Sequence, residues 1–515
     1  MPASAFPKLI PFAALAAHAE SWRAAGRRIV QSHGIFDLLH PGHVCHLEEA
    51  KALGDVLIVS VTDDRHVQKG PGRPYFAEQL RLRALEALAC VDYVVLVPFP
   101  GAVEAIERIR PHVSCRGKEY EDAEYDTSGA LEAERAAVAA AGGELRFVGA
   151  IKHSSTRLLN LYFDHLGAPV KSFCNALAGR YTRKDFVEAV ERLAALKVLV
   201  VGETIFDRYA SVQVQGLTSK NRIISGRFLE QETHCGGALA AFRHVRQFTP
   251  QVRFLSVAGP EGWVDGLLQT EVGPAGDLVL RDPAYTSIVK ERFVEPRREG
   301  QELNKLFAVN YLNPAPVSGS VLAQLEARLT EAMSGCDAVL LLDFGHGLMV
   351  PRLRNLVQDR ARFLALNCQT NSNNHGFNVL SRQYRRADAF TLDEQELMLV
   401  AGRREVDFGA ELAALRRGLK ARYAWLTRGP VETVGLAENE PVCLCPPLET
   451  DIVDTVGARD AFFSVAALAA ACGLPVELGT FLGQLAGAQA VRIVGNARPI
   501  SKDTLVKAGM SLLNF

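Results

Sequence analysis

The segment from His33 to His43 reads His-Gly-Ile-Phe-Asp-Leu-Leu-His-Pro-Gly-His and places histidines and glycines at a junction between strand and helix. A short apolar run precedes it at 29–31, and a helix-like stretch ending at Gly54 separates it from a second apolar run at 55–61. Strand, turn, helix and strand in this order predict a βαβ unit. Because ligands of open α/β sheets bind at the carboxyl ends of the strands, the segment is a candidate binding site.

Phosphate is the ligand that this segment favours. Pro41 suits the first position of a helix, so we expect His40 at the helix entrance and His43 about one turn further on. Backbone N–H groups and the helix dipole attract phosphate at such an entrance, and the imidazoles add donors. Gly34 lets the backbone approach a phosphate closely. A lone histidine pair is as well explained by capping or surface residues, but Gly34, Asp37 and the Pro-Gly pair favour phosphate.

Composition indicates a multidomain cytoplasmic enzyme. A chain of 515 residues predicts about two to four domains. The hydrophobic fraction of 48% can fill large cores, and a net charge of −1 gives no indication of a nucleic-acid or membrane partner. The ten cysteines are scattered, and Cys443 with Cys445 lacks the second half of a zinc site, so no metal ligands are assigned. The apolar runs are too short to span a bilayer.

Short apolar strands alternate with alanine- and leucine-rich helical segments in two separate parts of the chain. This alternation predicts an α/β fold, with a Rossmann-like, doubly wound parallel sheet in the first part and a second α/β domain that opens at Lys197. The stretches 209–229 and 285–312 contain β-branched residues and few helix signals, and we expect a small β lid there. The predicted divisions are an N-terminal helical extension at 1–26, an α/β domain at 27–160, a helical connector at 161–194 and an α/β domain at 195–515.

Three further groups of cationic or hydroxyl residues follow in the first half. They are Lys69 and Arg73 in a glycine- and proline-rich loop, Arg116 and Lys118 at a predicted strand end, and Ser154, Ser155 and Thr156 at a predicted helix start. Each has a structural explanation as well, since a basic turn is usually solvated and hydroxyls often serve only as N-caps.

Together these motifs resemble the cytidylyltransferase-like nucleotidylyltransferases, in particular the transferase half of the ADP-heptose synthases, over about residues 20–160. The resemblance implies that His40, His43 and Lys69 act in catalysis by stabilising phosphates. The nucleotide-binding residues that it implies are Gly34, Phe36, Asp37, Arg73, Arg116, Lys118, Ser154, Ser155 and Thr156. It implies in-line attack of a sugar phosphate on the α-phosphorus of a nucleoside triphosphate, with Mg²⁺ bridging the phosphates.

The second half resembles the PfkB/ribokinase carbohydrate kinases over about residues 195–510. The matching segments are Gly202–Asp207, Cys235–Ala238, Asp343–Gly347, Asp393–Glu396 and Asp454–Asp460. The resemblance implies that Asp460 takes a proton from the sugar hydroxyl and that Gly457 and Ala458 open a helix whose N–H groups bind the transferred phosphoryl group. It implies sugar contacts at Asp207, Gly236 and Gly237, and a metal- and phosphate-associated role for Glu396.

Arg459 departs from this pattern, because family members usually carry glycine there. If the position needs a positive φ, a non-glycine residue costs about 1–2 kcal/mol. The guanidinium would either occupy the place of the γ-phosphate or bind phosphate itself. Phe242-Arg243 and the segment 367–371 are further departures. In the fused ADP-heptose synthases the kinase also comes first, which is the reverse of the order here.

Three hypotheses follow from the sequence. The leading one is a bifunctional enzyme that phosphorylates a sugar and converts a sugar phosphate into a nucleotide-sugar, with CTP or ATP as donor. The second is a nucleotidylyltransferase whose kinase-like domain is degenerate and serves as a sugar-binding or dimerisation module. The third is a nucleotide-binding sensor without turnover. Related kinases often pair through the lid sheet, so we expect a homodimer.

Overall fold

In the computed structural model, the described residues are 7–67, 73–118, 130–149, 167–273, 278–297, 301–313, 317–371 and 373–513. The chain divides into two compact units, one of residues 1–167 with 510–515 and the other of residues 168–509. The predicted division into an extension, two domains and a connector stays a prediction.

The first unit is built on five parallel strands. They are β1 (Ile29–Gly34), β2 (Val56–Thr62), β3 (Tyr93–Val97), β4 (Val113–Gly117) and β5 (Glu144–Val148). Their order is β3-β2-β1-β4-β5, and every neighbouring pair is parallel. The chain moves outward from β1 in one direction and then returns to β4 on its other side. This reversal puts the topological switch point, where ligands of such sheets bind, at the carboxyl end of β1.

Helices cover both faces of this sheet, as a doubly wound fold requires. They are α1 (Leu15–Ala24), α2 (Pro41–Lys51), α3 (Glu78–Glu86), α4 (Val103–Ile109) and α5 (Ala130–Ala140). Leu47 of α2 and Leu85 of α3 pack in one core cluster with Val30 of β1. Leu15 of α1 packs in another with Ile29, the neighbouring residue of β1. Because adjacent strand residues point to opposite faces, these two clusters lie on opposite sides of the sheet.

The second unit contains a nine-stranded sheet. Its strands are β6 (Val198–Gly202), β9 (Val252–Ala258), β10 (Val279–Arg281), β13 (Ala338–Asp343), β14 (Leu364–Cys368), β15 (Ala389–Asp393), β16 (Tyr423–Thr427), β17 (Thr433–Ala437) and β18 (Cys443–Cys445). The order is β10-β9-β6-β13-β14-β15-β16-β17-β18. The pairs from β10 to β16 are parallel, and β17 and β18 add antiparallel strands at one edge.

Twelve described helices belong to this part of the chain. They are α6 (Ala168–Ala178), α7 (Arg183–Arg192), α8 (Gly237–Val245), α9 (Gly262–Glu271), α10 (Gly319–Ser334), α11 (Pro351–Arg360), α12 (Leu380–Gln383), α13 (Glu394–Ala401), α14 (Phe408–Gly418), α15 (Ala458–Ala471), α16 (Val476–Ala490) and α17 (Lys502–Leu512). Nearly every residue of α15 and α16 is buried. A helix that is apolar on all sides belongs inside a large core, and α15 therefore carries its N-terminus on a rigid support.

A second, four-stranded sheet forms the lid that the sequence predicts. It contains β7 (Thr204–Leu217), β8 (Ile224–Gly236), β11 (Ile288–Val294) and β12 (Lys305–Tyr311) in the order β12-β11-β7-β8. The prediction from the stretches 209–229 and 285–312 is confirmed. The predicted stretches are shorter than the strands: β7 already begins at Thr204, two residues after β6 ends, and β8 continues to Gly236.

Within the described ranges, no helix has both the length and the apolar character needed to cross a membrane. All ten cysteines are free, and six of them are buried.

Candidate functional sites at two helix entrances

The first candidate site is the turn between β1 and α2. His40 is the N-cap residue of α2, and its Nδ1 accepts a hydrogen bond of 3.1 Å from the N–H of Gly42. Pro41 occupies the first helical position. The rings of His40 and His43 stack with their centroids 3.9 Å apart. The predicted placement of both histidines at the helix entrance is confirmed.

His43 carries no full positive charge. Burial, with smaller contributions from His40 and His46, lowers the pKa of His43 to about 3, so its imidazole is neutral at physiological pH. Since Nδ1 of His40 accepts a backbone N–H, a neutral His40 carries its proton on Nε2. We infer this tautomer from the hydrogen bond. The N–H groups of Gly42, His43 and Val44 already donate to His40. The helix dipole and the imidazole donors are therefore what this entrance offers to charge that develops on a phosphoryl oxygen.

Phe36 supports this turn from the interior. It adopts a left-handed conformation, with φ of 52°, and only 7% of its surface is exposed. Its ring lies edge-on to His43, at 5.3 Å between centroids. A Cβ on Gly34 would lie 3.0 Å from the Phe36 ring, so glycine gives this ring its space. A direct contact between Phe36 and a nucleotide stays a prediction.

Asp37 ties the turn to the following loop. Its carboxylate accepts hydrogen bonds from Arg73 Nη1 at 2.9 Å and from the N–H of Phe76 at 2.8 Å. Both charged side chains are almost fully buried. The second terminal nitrogen of Arg73, Nη2, is buried and has no hydrogen-bond partner among the described residues. That nitrogen is an unused donor in the interior, and the predicted nucleotide contact of Arg73 stays a prediction.

Arg81 is a site residue that the sequence reasoning missed. Its guanidinium donates to the carbonyls of Ile35, Thr62 and Phe76 at 2.6, 2.9 and 3.0 Å, and to the Asp64 carboxylate at 2.6 Å. These acceptors lie after β1, at the end of β2 and before α3. Arg81 is 1% exposed and lies on the apolar face of α3. A cation on such a face was the signal that could have identified it.

Arg116 bonds to the chain itself. It donates to both carboxylate oxygens of Glu134, through Nε at 2.7 Å and through Nη2, and to the carbonyl of His33 at 2.9 Å. It therefore braces the end of β1, and its predicted contact with phosphates stays a prediction. Lys118 is exposed at the end of β4. Lys69, Ser154, Ser155 and Thr156 lie outside the described residues.

The second candidate site is the entrance of α15. Gly457 is its N-cap residue, with φ of 86°, and Ala458 begins the helix. A Cβ at Gly457 would lie 1.9 Å from Asn496 Oδ1, so only glycine fits. Asp460 is 8% exposed and accepts a hydrogen bond of 2.9 Å from Gln369 Nε2. Burial raises the pKa of Asp460 to about 6, which suits a base near neutral pH.

Asp207 lies on β7 and is only 4% exposed. It forms an ion pair of 2.5 Å with Arg292 of β11. A Cβ on Gly236 would lie 2.0 Å from Asp207 Oδ2, and one on Gly237, which has φ of 57°, would lie 2.8 Å from the Glu203 carbonyl. The sequence reasoning assigned the two glycines to close approach of a sugar. The structure shows a nearer reason, because the chain itself fills the space beside both residues.

Arg459 does not strain the backbone, because its position does not need the positive φ that would have made a non-glycine residue costly. It is an ordinary residue of α15, and the left-handed conformation belongs to Gly457. Its guanidinium forms ion pairs with Asp393 at 2.8 Å and Glu396 at 2.5 Å. Glu396 also accepts the N–H groups of Thr370 at 3.1 Å and Asp393 at 3.0 Å.

These contacts decide how a Mg²⁺ ion fits the second site. With its oxygens engaged by Arg459 and two backbone N–H groups, Glu396 does not fit as a direct metal ligand in this conformation. In the part of the chain that the structure describes, no group of three or more His, Cys, Asp or Glu side chains is arranged to hold a metal ion. Mg²⁺ binds nucleotide phosphates with few protein ligands. Mg²⁺ would enter such a site with the nucleotide, and its presence stays a prediction.

Comparison with known proteins finds relatives of the part of the chain that contains the first site. Residues 32–158 match the cytidylyltransferase-like family model. The bifunctional protein HldE of Azorhizobium caulinodans is 41% identical over 141 residues, which are 27% of this chain and 28% of the relative. HldE of Methylobacillus flagellatus is 45% identical over 108 residues, or 21% of this chain and 22% of the relative. The chain thus spans about a quarter of the length of these relatives.

Solved structures resemble a larger part of the chain. Phosphofructokinase-2 from Escherichia coli covers 61% of this chain and 98% of its own, with 16% identity and a TM-score of 0.49. Ribokinase from Arabidopsis thaliana, complexed with ribose and ATP, covers 62% of this chain and 99% of its own, with 17% identity and a TM-score of 0.46.

Replacing Arg81 with methionine should destabilise the first unit by roughly 3 kcal/mol, because several carbonyl acceptors lose their donor inside the fold. Urea unfolding followed by Trp22 fluorescence measures this, in a chain whose other two tryptophans are phenylalanine. Arg83→Met, two residues away at a half-exposed position, is the control. Equal midpoints for the two variants would show that Arg81 does not hold the turn.

Proposed function

We propose that the chain is a bifunctional enzyme. Its first unit transfers a nucleotidyl group from CTP or ATP to a sugar phosphate, and its second unit phosphorylates a sugar with ATP. The observation that carries the proposal is the pair His40 and His43, stacked at the entrance of α2 beside the switch point of a cytidylyltransferase-like domain.

In the first reaction an oxygen of the sugar phosphate attacks the α-phosphorus of the Mg²⁺–nucleotide. A new P–O bond forms, the bond between the α-phosphorus and its bridging oxygen breaks, and pyrophosphate leaves. Negative charge on the α-phosphoryl oxygens is stabilised by the dipole of α2 and by donors from His40 and His43. Arg73, held by Asp37, adds a cation nearby. Catalysis is thus positioning and charge stabilisation.

In the second reaction Asp460 accepts the proton of a sugar hydroxyl while that oxygen attacks the γ-phosphorus of ATP and ADP leaves. The hydrogen bond from Gln369 orients the carboxylate. Asp207, fixed by Arg292, is placed to bind sugar hydroxyls. The first-turn N–H groups of α15 receive the transferred phosphoryl group.

A specific observation favours the alternative, in which the second unit binds a sugar without phosphorylating it. Arg459 pairs with Asp393 and Glu396 at the start of α13, beside the entrance of α15. A magnesium–nucleotide that needs those carboxylates has to displace the guanidinium. Displacement breaks both ion pairs of the guanidinium, one of them with the buried Glu396 carboxylate, which is costly.

We also propose that the protein is a homodimer through the lid. Phe307, Val309 and Tyr311 alternate along β12 and therefore lie on one face of the strand, with exposures of 52%, 39% and 45%. Phe228 and Ile224 on β8 are 59% and 54% exposed. Apolar side chains concentrated in one small sheet are typical of an interaction surface, and a second copy of the lid is the occupant proposed.

Pyrophosphate release from CTP or ATP with a panel of sugar 1-phosphates tests the first activity. His40→Ala and His43→Ala should each lower kcat about 10²- to 10³-fold, because each removes a donor to the transition-state charge. His18→Ala, at an exposed position on α1, is the control. Nucleotide binding without pyrophosphate release for any pair would instead favour the sensor hypothesis.

Sugar-dependent ADP formation tests the second activity. Asp460→Asn should abolish it, and in the native chain the rate should fall as the pH drops below about 6, since protonation removes the base. Equal ADP formation by the two proteins would contradict the kinase proposal. Absence of ADP formation by both, together with a thermal shift on adding sugar, would support the binding-module alternative.

The double variant Phe228→Asp with Phe307→Asp should convert the dimer into a monomer in light scattering, because buried charges oppose association. Val431→Asp, a similarly exposed apolar position between β16 and β17, should leave the dimer intact. A native chain that is monomeric at micromolar concentration would contradict the dimer.

A further inference from the structure

The carboxylate of Asp454 lies at a junction in the second unit. It is fully buried, three residues before Gly457. One oxygen accepts the Tyr209 hydroxyl at 2.8 Å and the N–H of Gly495 at 3.0 Å. The other accepts the N–H of Val456 at 3.1 Å and forms an ion pair of 2.6 Å with Lys305 Nζ.

Two of these partners belong to the lid. Lys305 lies on β12 and Tyr209 on β7, so Asp454 joins two strands of the lid sheet to the segment that leads into α15. Burial raises the pKa of Tyr209, which keeps its hydroxyl protonated as a donor. A backbone hydrogen bond of 2.8 Å from Leu303 to the Val453 carbonyl runs alongside.

The other partners surround Gly457. A Cβ on Gly495 would lie 2.2 Å from the Tyr209 ring, so the loop after α16 packs tightly against the lid. Asn496, the next residue, fills the space beside Gly457. Arg243 fixes this loop by donating to the Asn496 carbonyl at 2.8 Å. A change at Asp454 is therefore transmitted to the helix entrance by direct contact.

We propose that Lys305 is a positioning residue for the α15 entrance. Its ammonium neutralises Asp454 and thereby holds the lid and the turn at Gly457 in one arrangement, which presents the first-turn N–H groups of α15 to a phosphoryl group. Lysine suits the role because its ammonium is a compact charge. Without it, a buried carboxylate would lose its ion-pair partner. A role of Lys305 in catalysis rests on the proposed kinase function, whereas its effect on the turn at Gly457 does not.

Hydrogen exchange of peptides covering 453–460 and 494–497 tests the proposal in the full chain. Lys305→Met should speed exchange in both peptides about tenfold or more, because the donors to Asp454 are released. Lys305→Arg should exchange at a rate between those of the native chain and Lys305→Met, because it keeps the charge on a bulkier group. Ammonium chloride should slow exchange in Lys305→Met, whereas tetramethylammonium chloride of equal ionic strength should not, since only the small ion fits beside Asp454. Lys502→Met, which removes the partly exposed ion pair with Glu191, is the control.

Native exchange rates in Lys305→Met would overturn the proposal. Faster exchange spread evenly over the second unit would also overturn it, because that pattern reports general destabilisation. In assays of sugar-dependent ADP formation, Lys305→Met should lower kcat/KM about tenfold or more, and arginine or added ammonium should restore part of the loss. If the native chain forms no ADP, the kinase proposal fails while the exchange experiment still decides the role of Lys305.

Discussion

Both candidate sites lie at the N-terminus of a helix, where the helix dipole favours an anion. In the first unit α2 follows the carboxyl end of β1. Its N-cap residue is His40, whose imidazole accepts a backbone N–H. In the second unit the N-cap residue of α15 is Gly457, and Asp460 lies in the first turn of the helix. The strands and apolar helix faces behind each entrance keep the dipole directed at one place, which is why both sites suit phosphate.

Arginines distinguish the two entrances. In the first unit Arg81 and Arg116 satisfy carbonyl groups at the ends of β1 and β2, so that the turn is rigid without using its own donors. In the second unit Arg459 binds the carboxylates of Asp393 and Glu396 next to the turn at Gly457. A guanidinium bound to two carboxylates holds neighbouring elements together, but it also competes with any cation that a nucleotide brings. The same residue type therefore stabilises one entrance and restricts the other.

Much of the fold was predictable because its signals are local. Apolar runs marked the strands, Pro41 marked the start of α2, and the composition of 209–229 and 285–312 marked the lid. The residues that orient the site were harder to predict from the sequence. Arg81 looks like a surface residue until α3 packs on the sheet, and Gln369 and Arg292 reach Asp460 and Asp207 from distant segments. The spacing of residues along a chain carries no information about such contacts.

The sequence by itself determined the α/β class, the two helix entrances and the chemistry of the residues at each, because glycine, proline and histidine act through their immediate neighbours. Only the tertiary structure decided the charge state of His43 and the partners of Arg459. Burial lowers the pKa of that histidine to about 3, and burial depends on the packing of many separate segments. The Arg459 guanidinium could have pointed to a phosphate or to protein carboxylates, and the position of α13 beside α15 directs it to Asp393 and Glu396.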